Sequence, residues 1–406
     1  MITGRDFIVT SLQPWDIEIG STIKNTALEI SKQNRVLYVS TPLDIASRLR
    51  SILHNNDNSI DFRHRMEVIA GKVSPLRQIN DNLWILDCPF TLLSINKLPS
   101  FLFDIFNRKN NRKLGNWIKQ QAEVLGFHDY IHLIDTDVFR SRYLKEYIHP
   151  ALSVYYRRDY IFRKKYWRKH GLRCEYRLAT SADLVLANSV RFANELQAYN
   201  PNVFPIETGV NLDLYDTSRT YETPADVREI PHPIIGYLGA LSSVRLNTDL
   251  LLALARQCPQ YSFVLTGPED EVFRVHPLHQ MSNVYFLGQK NIEEVPSYMN
   301  AYDVCINPQR VNAITDGNYP LKIDEYLAMG KPIIATSTHT MRDVFAAYTH
   351  LAESTEEWIT AIDTALSETG NQTLSQKRIA FAHTHSWGHS VSKIYNAIEK
   401  TETVCH

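Results

Sequence analysis

The sequence predicts an α/β protein made of two doubly wound domains, each with a mainly parallel sheet covered by helices. Three observations lead to this prediction. The 406 residues are about twice the usual size of one domain. Short apolar, β-rich runs alternate with longer stretches of helical periodicity, a pattern typical of parallel sheets. A polar, proline-bearing stretch at 211–233 interrupts the alternation, which then begins again.

The first half, residues 1–210, is predicted to form an N-terminal Rossmann-like domain. Its strands are read from short apolar runs bounded by turn residues. These runs are Phe7–Ser11, Val36–Ser40, Leu83–Asp87, Tyr130–Ile134, Leu152–Tyr156, Leu184–Ala187 and Val203–Ile206. Because helical stretches separate them, the sheet should be parallel.

The second half is predicted as an interdomain linker at 211–233, a second Rossmann-like domain at 234–385 and a C-terminal helix at 386–406. Its predicted strands are Ile234–Leu238, Ser262–Thr266, Val284–Leu287, Val304–Asn307 and Ile333–Thr336, with helices near Asn247–Arg256, Glu293–Asn300, Leu321–Met329 and Thr355–Leu366. Open α/β sheets bind ligands at the carboxyl ends of their strands, so a cleft between the two domains is the expected active site.

Composition excludes several classes of protein. A net charge of −1 argues against a protein-wide attraction to nucleic acid or anionic lipid, so any such attraction must be local. Five cysteines without a CxxC pattern indicate reduced thiols and no structural zinc. The charged N-terminus does not fit a signal peptide, and no run is apolar enough to span a membrane. We therefore expect a cytoplasmic protein.

The stretch most informative about chemistry is 307–336, NPQRVNAITDGNYPLKIDEYLAMGKPIIAT, which is predicted as strand end, polar loop, helix, stop and buried strand. Pro320 suits the first helical turn, which would place Leu321 and Lys322 beside free backbone donors and the positive end of the helix dipole. Glu325 follows on the same face and could accept from sugar hydroxyls. The alternative is an exposed Lys322–Glu325 ion pair of no functional interest.

At this point the sequence resembles a known family. PLKxxEYLAxGKP after a loop with Asn and Thr is similar to the donor-site signature of bacterial GT-B glycosyltransferases, including teichuronic-acid-type and other surface-polysaccharide transferases. GYLGALSSVRLNTDLLLALARQCPQYSFVLTGP and NVYFLGQKNIEEVPSYMNAYDVCINP resemble the preceding segments of the same group. The resemblance is sharp from 234 to 336 and weaker in the first half. It implies two Rossmann-like domains facing a central cleft, with a C-terminal helix that crosses back to the first.

The resemblance also implies site residues. Lys322 would bind the donor diphosphate and Glu325 the ribose or sugar hydroxyls. Arg245, on the loop after the first strand of the second domain, would face the diphosphate. The remaining residues expected to line the donor site are Gly239, Asn312, Thr315, Tyr319 and Leu321.

Two departures from the family pattern concern mechanism. Position 318 is Asn where retaining members carry a Glu that contacts the sugar, which leaves the stereochemical outcome open. The loop GALSSVR offers only Arg245 in place of an Arg and a Lys, so Arg245 and Lys322 become the expected stabilisers of the leaving group. One metal-type motif, Asp135-Thr136-Asp137, falls in the acceptor half, and we expect no metal and no cofactor.

If the configuration inverts, a general base must take the proton of the acceptor hydroxyl. Asp159 is the first candidate, because it follows the strand Leu152–Tyr156 at a place where related transferases carry an Asp. Asp137 and Asp16 are the reserves, each with a structural role as its alternative.

A basic and aromatic segment, Tyr155–Arg173, holds eight Lys or Arg against one Asp. Such a surface could hold the protein against the inner face of a membrane that carries a lipid-linked acceptor. The alternatives are a solvated basic face or a clamp for an anionic substrate. The residues predicted to form this surface are Arg157, Arg158, Arg163, Lys164, Lys165, Trp167 and Arg168. A second basic-aromatic zone, Lys97–Lys119, could broaden the surface or pack over the core.

The sequence thus predicts a metal-independent glycosyltransferase. It would move a sugar from a UDP- or GDP-sugar to a saccharide or lipid-linked saccharide acceptor in bacterial cell-surface polysaccharide synthesis. Nucleic acid is not an expected partner, because no module that reads bases is present. Two alternatives stay open: a non-hydrolysing nucleotide-sugar epimerase, and a transferase-like scaffold subunit without activity.

Overall fold

A computed structural model describes the backbone at residues 2–16, 21–54, 60–162 and 164–405, and the side chains at these positions except 51–54, 60, 61, 404 and 405. The chain divides into two compact units. The first contains residues 1–206 and 390–406, and the second contains residues 207–389.

The first unit is built on an eight-stranded sheet. Its strands are β1 (Asp6–Ser11), β2 (Arg35–Val39), β3 (Leu76–Asn80), β4 (Leu83–Leu86), β5 (Ile131–Asp135), β6 (Leu152–Arg157), β7 (Leu184–Ala187) and β8 (Val203–Pro205). Its helices up to residue 206 are α1 (Thr22–Ser31), α2 (Ile45–His54), α3 (Ile60–Ile69), α4 (Ser100–Val124), α5 (Lys145–Ile148), α6 (Gly171–Ser181) and α7 (Val190–Leu196).

The strand order is β3-β4-β2-β1-β5-β6-β7-β8, and all neighbours are parallel except β3 against β4. The order reverses between β1 and β5, so the carboxyl ends of these two strands flank the switch point where open α/β sheets bind ligands. Ser11 and Asp135 lie there as paired residues.

The second unit contains a six-stranded sheet with the strands β9 (Ile234–Leu238), β10 (Ser262–Thr266), β11 (Val284–Gly288), β12 (Val304–Asn307), β13 (Ile333–Thr336) and β14 (His350–Ala352). Its helices are α8 (Ala225–Arg228), α9 (Thr248–Gln257), α10 (Glu271–Arg274), α11 (Val295–Ala301), α12 (Leu321–Ala328), α13 (Thr355–Ser367) and α14 (Gln372–His383), with a 3-10 turn at Pro277–Gln280 and a π turn at Met341–Phe345.

This sheet is parallel throughout, in the order β11-β10-β9-β12-β13-β14. Counted within the unit, the third, second, first, fourth, fifth and sixth strands lie side by side, which is the Rossmann order. The switch point lies between β9 and β12. The loops that follow these two strands therefore meet at one place on the edge of the sheet, and the predicted site residues lie on them and on α12.

The stretch predicted as a linker, 211–233, belongs to the second unit. Tyr215, Val227 and Ile230 are buried in a core cluster with residues of β9, β12 and α12. Its polar and proline-rich composition pointed to an exposed connection, but these three apolar side chains anchor it to the domain.

The C-terminal helix α15 (Trp387–Cys405) contributes its residues from Ser390 onward to the first unit. Val391, Ile394 and Ile398 lie in the core cluster that also contains residues of β1 and β2. The hydroxyl of Tyr395 accepts a hydrogen bond of 2.8 Å from the side-chain amide of Asn34.

His132 in β5 is a buried histidine with a predictable effect on stability. Its Nε2 lies 3.0 Å from the Thr10 hydroxyl, and burial lowers the pKa of the imidazole to about 3. An unfolded histidine titrates near pH ~6.5, so below that pH the unfolded chain binds a proton that the folded chain excludes. As the pH falls from 6.5 to 5, protonation of the unfolded chain lowers the free energy of unfolding by about 2 kcal/mol.

We therefore expect His132→Leu to make unfolding less sensitive to acid, since Thr10 keeps a second partner in Ser141 at 3.0 Å. Denaturant unfolding at pH 5 and pH 7 measures this. The free-energy difference between the two pH values should be about 2 kcal/mol smaller in the variant. Equal differences in the two proteins would contradict the assignment.

Candidate functional site

Two glycines bring the loops after β9 and β10 into close contact. Gly239 has φ +140°, and a Cβ on it would lie 3.1 Å from the Lys322 ammonium nitrogen. Gly267 has φ +149°, and its Cβ would lie 2.0 Å from the carbonyl oxygen of Gly239. Glycine alone readily adopts these backbone conformations, and at Gly267 the neighbouring backbone leaves no space for a Cβ. The two loops thus present bare backbone beside Lys322.

Lys322 lies in the first turn of α12, half-buried beside Tyr237. Its ammonium donates to the Tyr237 hydroxyl at 3.0 Å and lies 4.8 Å from the centre of that ring. Within the described part of the chain, no carboxylate forms an ion pair with it. The predicted alternative, an exposed pair with Glu325, is therefore not found. The positive charge remains available for an anion.

Glu325 lies one turn further along α12, half-buried and hydrogen-bonded to the hydroxyl of Tyr215. Burial raises the pKa of its carboxyl, and the charge of Lys322 opposes the rise. Tyr215 belongs to the stretch predicted as a linker, and for this reason it was not among the predicted site residues. Its hydroxyl holds the carboxylate at the same edge as Lys322.

Asn312 and Thr315 shape the loop after β12. The Asn312 side chain donates to the Val244 carbonyl at 3.1 Å and so connects this loop to the one after β9. The Thr315 hydroxyl accepts from the Asn312 backbone at 3.1 Å and donates to the Arg310 carbonyl. The polar atoms predicted to line the pocket are thus engaged in holding the loop.

Tyr319 takes part in a buried cluster behind the helix start. Its hydroxyl donates to Asp324 Oδ2 at 2.7 Å, and His385 Nδ1 lies 2.7 Å from Asp324 Oδ1. Burial raises the pKa of the Asp324 carboxyl, and the hydrogen bond to His385 opposes this. Tyr319 was predicted to line the pocket, and its hydroxyl is bound to Asp324. The cluster fixes the start of α12 against the segment before α15.

Arg245 and Leu321 complete the predicted set. The Arg245 side chain is exposed, and its carbonyl accepts from Arg310 N–H at 2.8 Å, which ties its loop to the one after β12. No acidic partner of Arg245 occurs among the described residues. Leu321 is the first residue of α12, and its N–H donates to the Tyr319 carbonyl at 3.2 Å. The helix follows Pro320 instead of including it.

Comparison with known proteins now bears on this geometry. Residues 232–368 match the family model described as glycosyl transferases group 1. The match covers the loops after β9, β10 and β12 and the whole of α12. Residues 232–368 are thus similar to the glycosyl transferases of group 1.

Solved structures of GT-B glycosyltransferases share the fold of this chain. The structure of Anabaena HepE in complex with UDP aligns over 98% of this chain and 100% of its own, with a TM-score of 0.65 and 17% identity. Sucrose-phosphate synthase from Thermosynechococcus elongatus aligns over 98% of this chain and 100% of its own, with a TM-score of 0.69 and 15% identity. At such identities the likeness concerns the fold, and it confirms the predicted α/β architecture.

Among curated proteins, a similar one is TuaH of Bacillus subtilis, assigned as a glycosyltransferase of teichuronic acid biosynthesis. It is 26% identical over 239 residues, which are 56% of this chain and 59% of that protein. The match thus spans less than two thirds of the relative's length. It agrees with the family resemblance predicted from the sequence.

The three candidate bases lie in the first unit. Asp159 follows β6 and is half-buried. Asp137 is buried, and its Oδ2 lies 3.5 Å from Nη1 of Arg140. Burial raises the pKa of the Asp137 carboxyl. Asp16 forms an ion pair with Arg77. Asp159 lies two residues after the end of β6, and Asp137 lies two residues after the end of β5.

Both carboxylates of the Asp135-Thr136-Asp137 motif are paired with arginines. Asp135 Oδ2 accepts from Arg158 Nη2 at 2.8 Å and from the Ser11 hydroxyl at 2.7 Å. Asp137 is paired with Arg140, as described above. Both carboxylates thus lie in ion pairs within the first unit.

The structure corrects the predicted basic surface. Arg157 is 1% exposed because it ends β6 and pairs with Glu175 and Glu195, at 3.4 and 2.8 Å. Arg158 is buried against Asp135, and Trp167 against Phe139, with ring centres 4.4 Å apart. Lys164, Lys165 and Arg168 are exposed as predicted, and Arg163 lies outside the described residues. No described helix is both long and apolar enough to cross a membrane.

Proposed function

We propose that this protein transfers a sugar from a nucleotide-sugar donor, a UDP- or GDP-sugar, to a saccharide or lipid-linked saccharide acceptor. The observation that carries the proposal is the Lys322 ammonium. It lies at the switch point of a Rossmann-type sheet, beside the bare backbone of Gly239, without an acidic partner among the described residues. A diphosphate fits such a site because it combines two negative charges with many hydrogen-bond acceptors.

The donor would be held by three groups with different functions. Lys322 and the first turn of α12 would bind the diphosphate, with Arg245 approaching from the loop after β9. Glu325 would accept hydrogen bonds from ribose or sugar hydroxyls. We favour UDP over GDP because the similar HepE was solved with UDP and with UDP-glucose.

The reaction we propose is a displacement at the anomeric carbon. The acceptor hydroxyl oxygen bonds to that carbon, the bond to the diphosphate oxygen breaks, and the nucleoside diphosphate leaves with the electron pair. Lys322 and Arg245 would stabilise the developing charge. Asp159 would take the acceptor proton if the configuration inverts. Its position directly after a strand of the first sheet supports this role.

We further propose that transfer needs no bound metal. Two cationic side chains are available for the departing diphosphate, and the carboxylates of the only DxD motif in the sequence are already paired with arginines. Activity in excess EDTA, compared with activity in Mg²⁺ or Mn²⁺, tests this. Equal rates are expected, and a rate that requires the cation would overturn metal independence.

Product analysis separates transfer from the two alternative functions. Purified protein is incubated with each nucleotide sugar, with and without saccharide acceptors, and the nucleotides are resolved by chromatography. We expect nucleoside diphosphate to appear mainly with an acceptor. An isomerised nucleotide sugar without acceptor would indicate an epimerase. No reaction and no binding with any donor would favour the scaffold subunit.

The raised pKa of Glu325 predicts how donor affinity depends on pH. The hydroxyls of the sugar need the carboxylate form, and a proton competes with them. Affinity for the nucleotide sugar should therefore fall as the pH drops from neutral into the mildly acidic range. Calorimetric titration of Glu325→Gln should give weaker binding that changes less with pH. A wild-type affinity that is constant from pH 5 to pH 8 would contradict this role.

We place the reaction in bacterial cell-surface polysaccharide synthesis, at the cytoplasmic face of the membrane. The support is the similarity to TuaH and the expectation that a lipid-linked acceptor lies in the inner leaflet. The exposed cations Lys164, Lys165 and Arg168 belong to the surface that would approach the lipid.

A further inference from the structure

The first turns of α4 expose large apolar side chains to solvent. Phe101 is 67% exposed and Ile105 is 52% exposed, four residues apart on one side of the helix. Phe103, on the opposite side, is fully buried. Core packing therefore accounts for Phe103 and gives no reason for Phe101 and Ile105. Apolar residues exposed together on a helix face usually mark an interaction site.

The segment before α6 exposes cations at regular spacing. Lys164, Lys165, Arg168 and Lys169 are exposed, while Trp167 and His170 between them are buried. Backbone bonds from Arg168 N–H to Lys164 O and from Gly171 N–H to Trp167 O give these turns helical spacing. The buried residues thus anchor a strip of four positive charges, and the exposed Leu172 continues it.

Direct contacts join the cationic strip to the start of α4. The His170 ring stacks on Phe103 with centres 4.1 Å apart, and its Nε2 lies 2.9 Å from the Leu98 carbonyl. Lys169 Nζ donates to the carbonyl of Lys97 at 3.1 Å. The two basic-aromatic segments identified in the sequence, Tyr155–Arg173 and Lys97–Lys119, therefore contribute to one surface. We call it the basic-apolar face: Lys97, Phe101, Ile105, Lys164, Lys165, Arg168, Lys169 and Leu172.

Two lysines of this face, Lys164 and Lys165, carry charges that no described carboxylate pairs with. The acidic residue at the start of α4, Asp104, is paired with Arg173 at 2.7 Å and lies 3.5 Å from Arg177. Within the described part of the chain, neither Lys164 nor Lys165 has an acidic partner. The face is strongly positive on a protein whose net charge is only −1.

We propose that the basic-apolar face docks on a bilayer of anionic phospholipid, with Phe101 and Ile105 entering the boundary between headgroups and acyl chains. Cations attract anionic headgroups, and adjacent aromatic and aliphatic side chains enter the interface. The purpose of this docking, access to a lipid-linked acceptor, rests on the proposed function. The docking itself needs neither donor nor acceptor. Arg157, Arg158 and Trp167 are buried and are not part of this face.

The test is co-sedimentation of the full chain with vesicles, without nucleotide or acceptor. Vesicles of phosphatidylglycerol and phosphatidylcholine are compared with pure phosphatidylcholine. We expect binding to the anionic vesicles that weakens with salt. Each cation near an anionic surface strengthens binding by about fivefold, so Lys164→Glu/Lys165→Glu should weaken it by about 25-fold or more. Phe101→Ser/Ile105→Ser should weaken it by about tenfold or more.

Matched variants on the second unit control for charge and apolar content. Arg256→Glu/Lys377→Glu makes the same change in net charge at exposed positions, and Val272→Ser/Val275→Ser removes two exposed valines. Both should bind like the wild type, and thermal melting reports whether each variant is folded. Absence of wild-type binding, or equal losses in test and control variants, would overturn the proposal. Nucleotide binding is measured separately, so the proposed function can fail while the docking stands.

Discussion

Replacing Lys322 by Ala is expected to lower kcat/KM on the order of 10²–10³-fold, the usual effect of removing one group that stabilises charge in a transition state. The ammonium lies beside the backbone of Gly239, and within the described chain no carboxylate forms an ion pair with it. In the proposed reaction it would face the diphosphate as negative charge develops. Steady-state kinetics with the donor identified by product analysis measures the change.

Lys290→Ala is the matched control for Lys322→Ala. Lys290 is also a lysine of the second unit, but it pairs with Asp226 at 2.6 Å and lies over the ring of Tyr298. Its loss should leave kcat/KM within about twofold, because a surface ion pair contributes at most about 1 kcal/mol and does not touch the proposed donor. Equal kinetic effects of the two substitutions would contradict the role of Lys322.

Replacing Gly267 by Ala should destabilise the protein by about 2–4 kcal/mol, the range for a strained backbone combined with a steric collision. The new Cβ would lie 2.0 Å from the carbonyl oxygen of Gly239, and backbone cannot move aside as a flexible side chain can. The loop after β9 must then shift, and the site beside Lys322 shifts with it. Both the unfolding midpoint and nucleotide affinity should fall.

Gly288→Ala is the control for Gly267→Ala, because it introduces backbone strain without a steric collision. Gly288 also has a positive φ, +68°, but nothing lies within 4 Å of its Cβ position. This variant should lose only about 1 kcal/mol and keep its nucleotide affinity. If denaturant unfolding gave the same loss for both glycines, the close approach of the two loops would not be a real constraint.

The strands of the second unit could be predicted closely because continuous apolar runs are typical of buried parallel strands. Ile234–Leu238, Ser262–Thr266, Val304–Asn307 and Ile333–Thr336 have the predicted bounds. The edge strands β3 and β14 were not predicted. β3, with sequence LRQIN, is polar and largely exposed, and β14 has three residues, so neither carries the apolar signal.

The local part of the site was also accessible from the sequence. Lys322 and Glu325 share one helix, and their spacing alone places them on one face. Tyr215 could not be found in this way, because it reaches Glu325 from a distant segment. The pairing of Asp324 with His385 likewise joins residues far apart in the chain. Such contacts are set by the packing of the fold.

The prediction of the basic segment was wrong in part for the same reason. Arginines at the end of a strand are expected to be exposed. Arg157 and Arg158 are instead buried, and each forms an ion pair with a carboxylate from another helix or strand. Arg158 pairs with Asp135 of the neighbouring strand, and Arg157 pairs with Glu175 of α6.

The central claim is that the second unit binds a nucleoside diphosphate through Lys322. Thermal melting of the full chain in EDTA, against UDP, GDP, TDP, CDP and ADP, tests it most directly, with Lys322→Ala measured in parallel. At a ligand concentration of about 100 Kd, binding stabilises the folded chain by about 2.7 kcal/mol. The account predicts that one nucleotide, UDP first, raises the Tm of the wild type and does not raise that of the variant. No shift with any nucleotide, or equal shifts in both proteins, would contradict it.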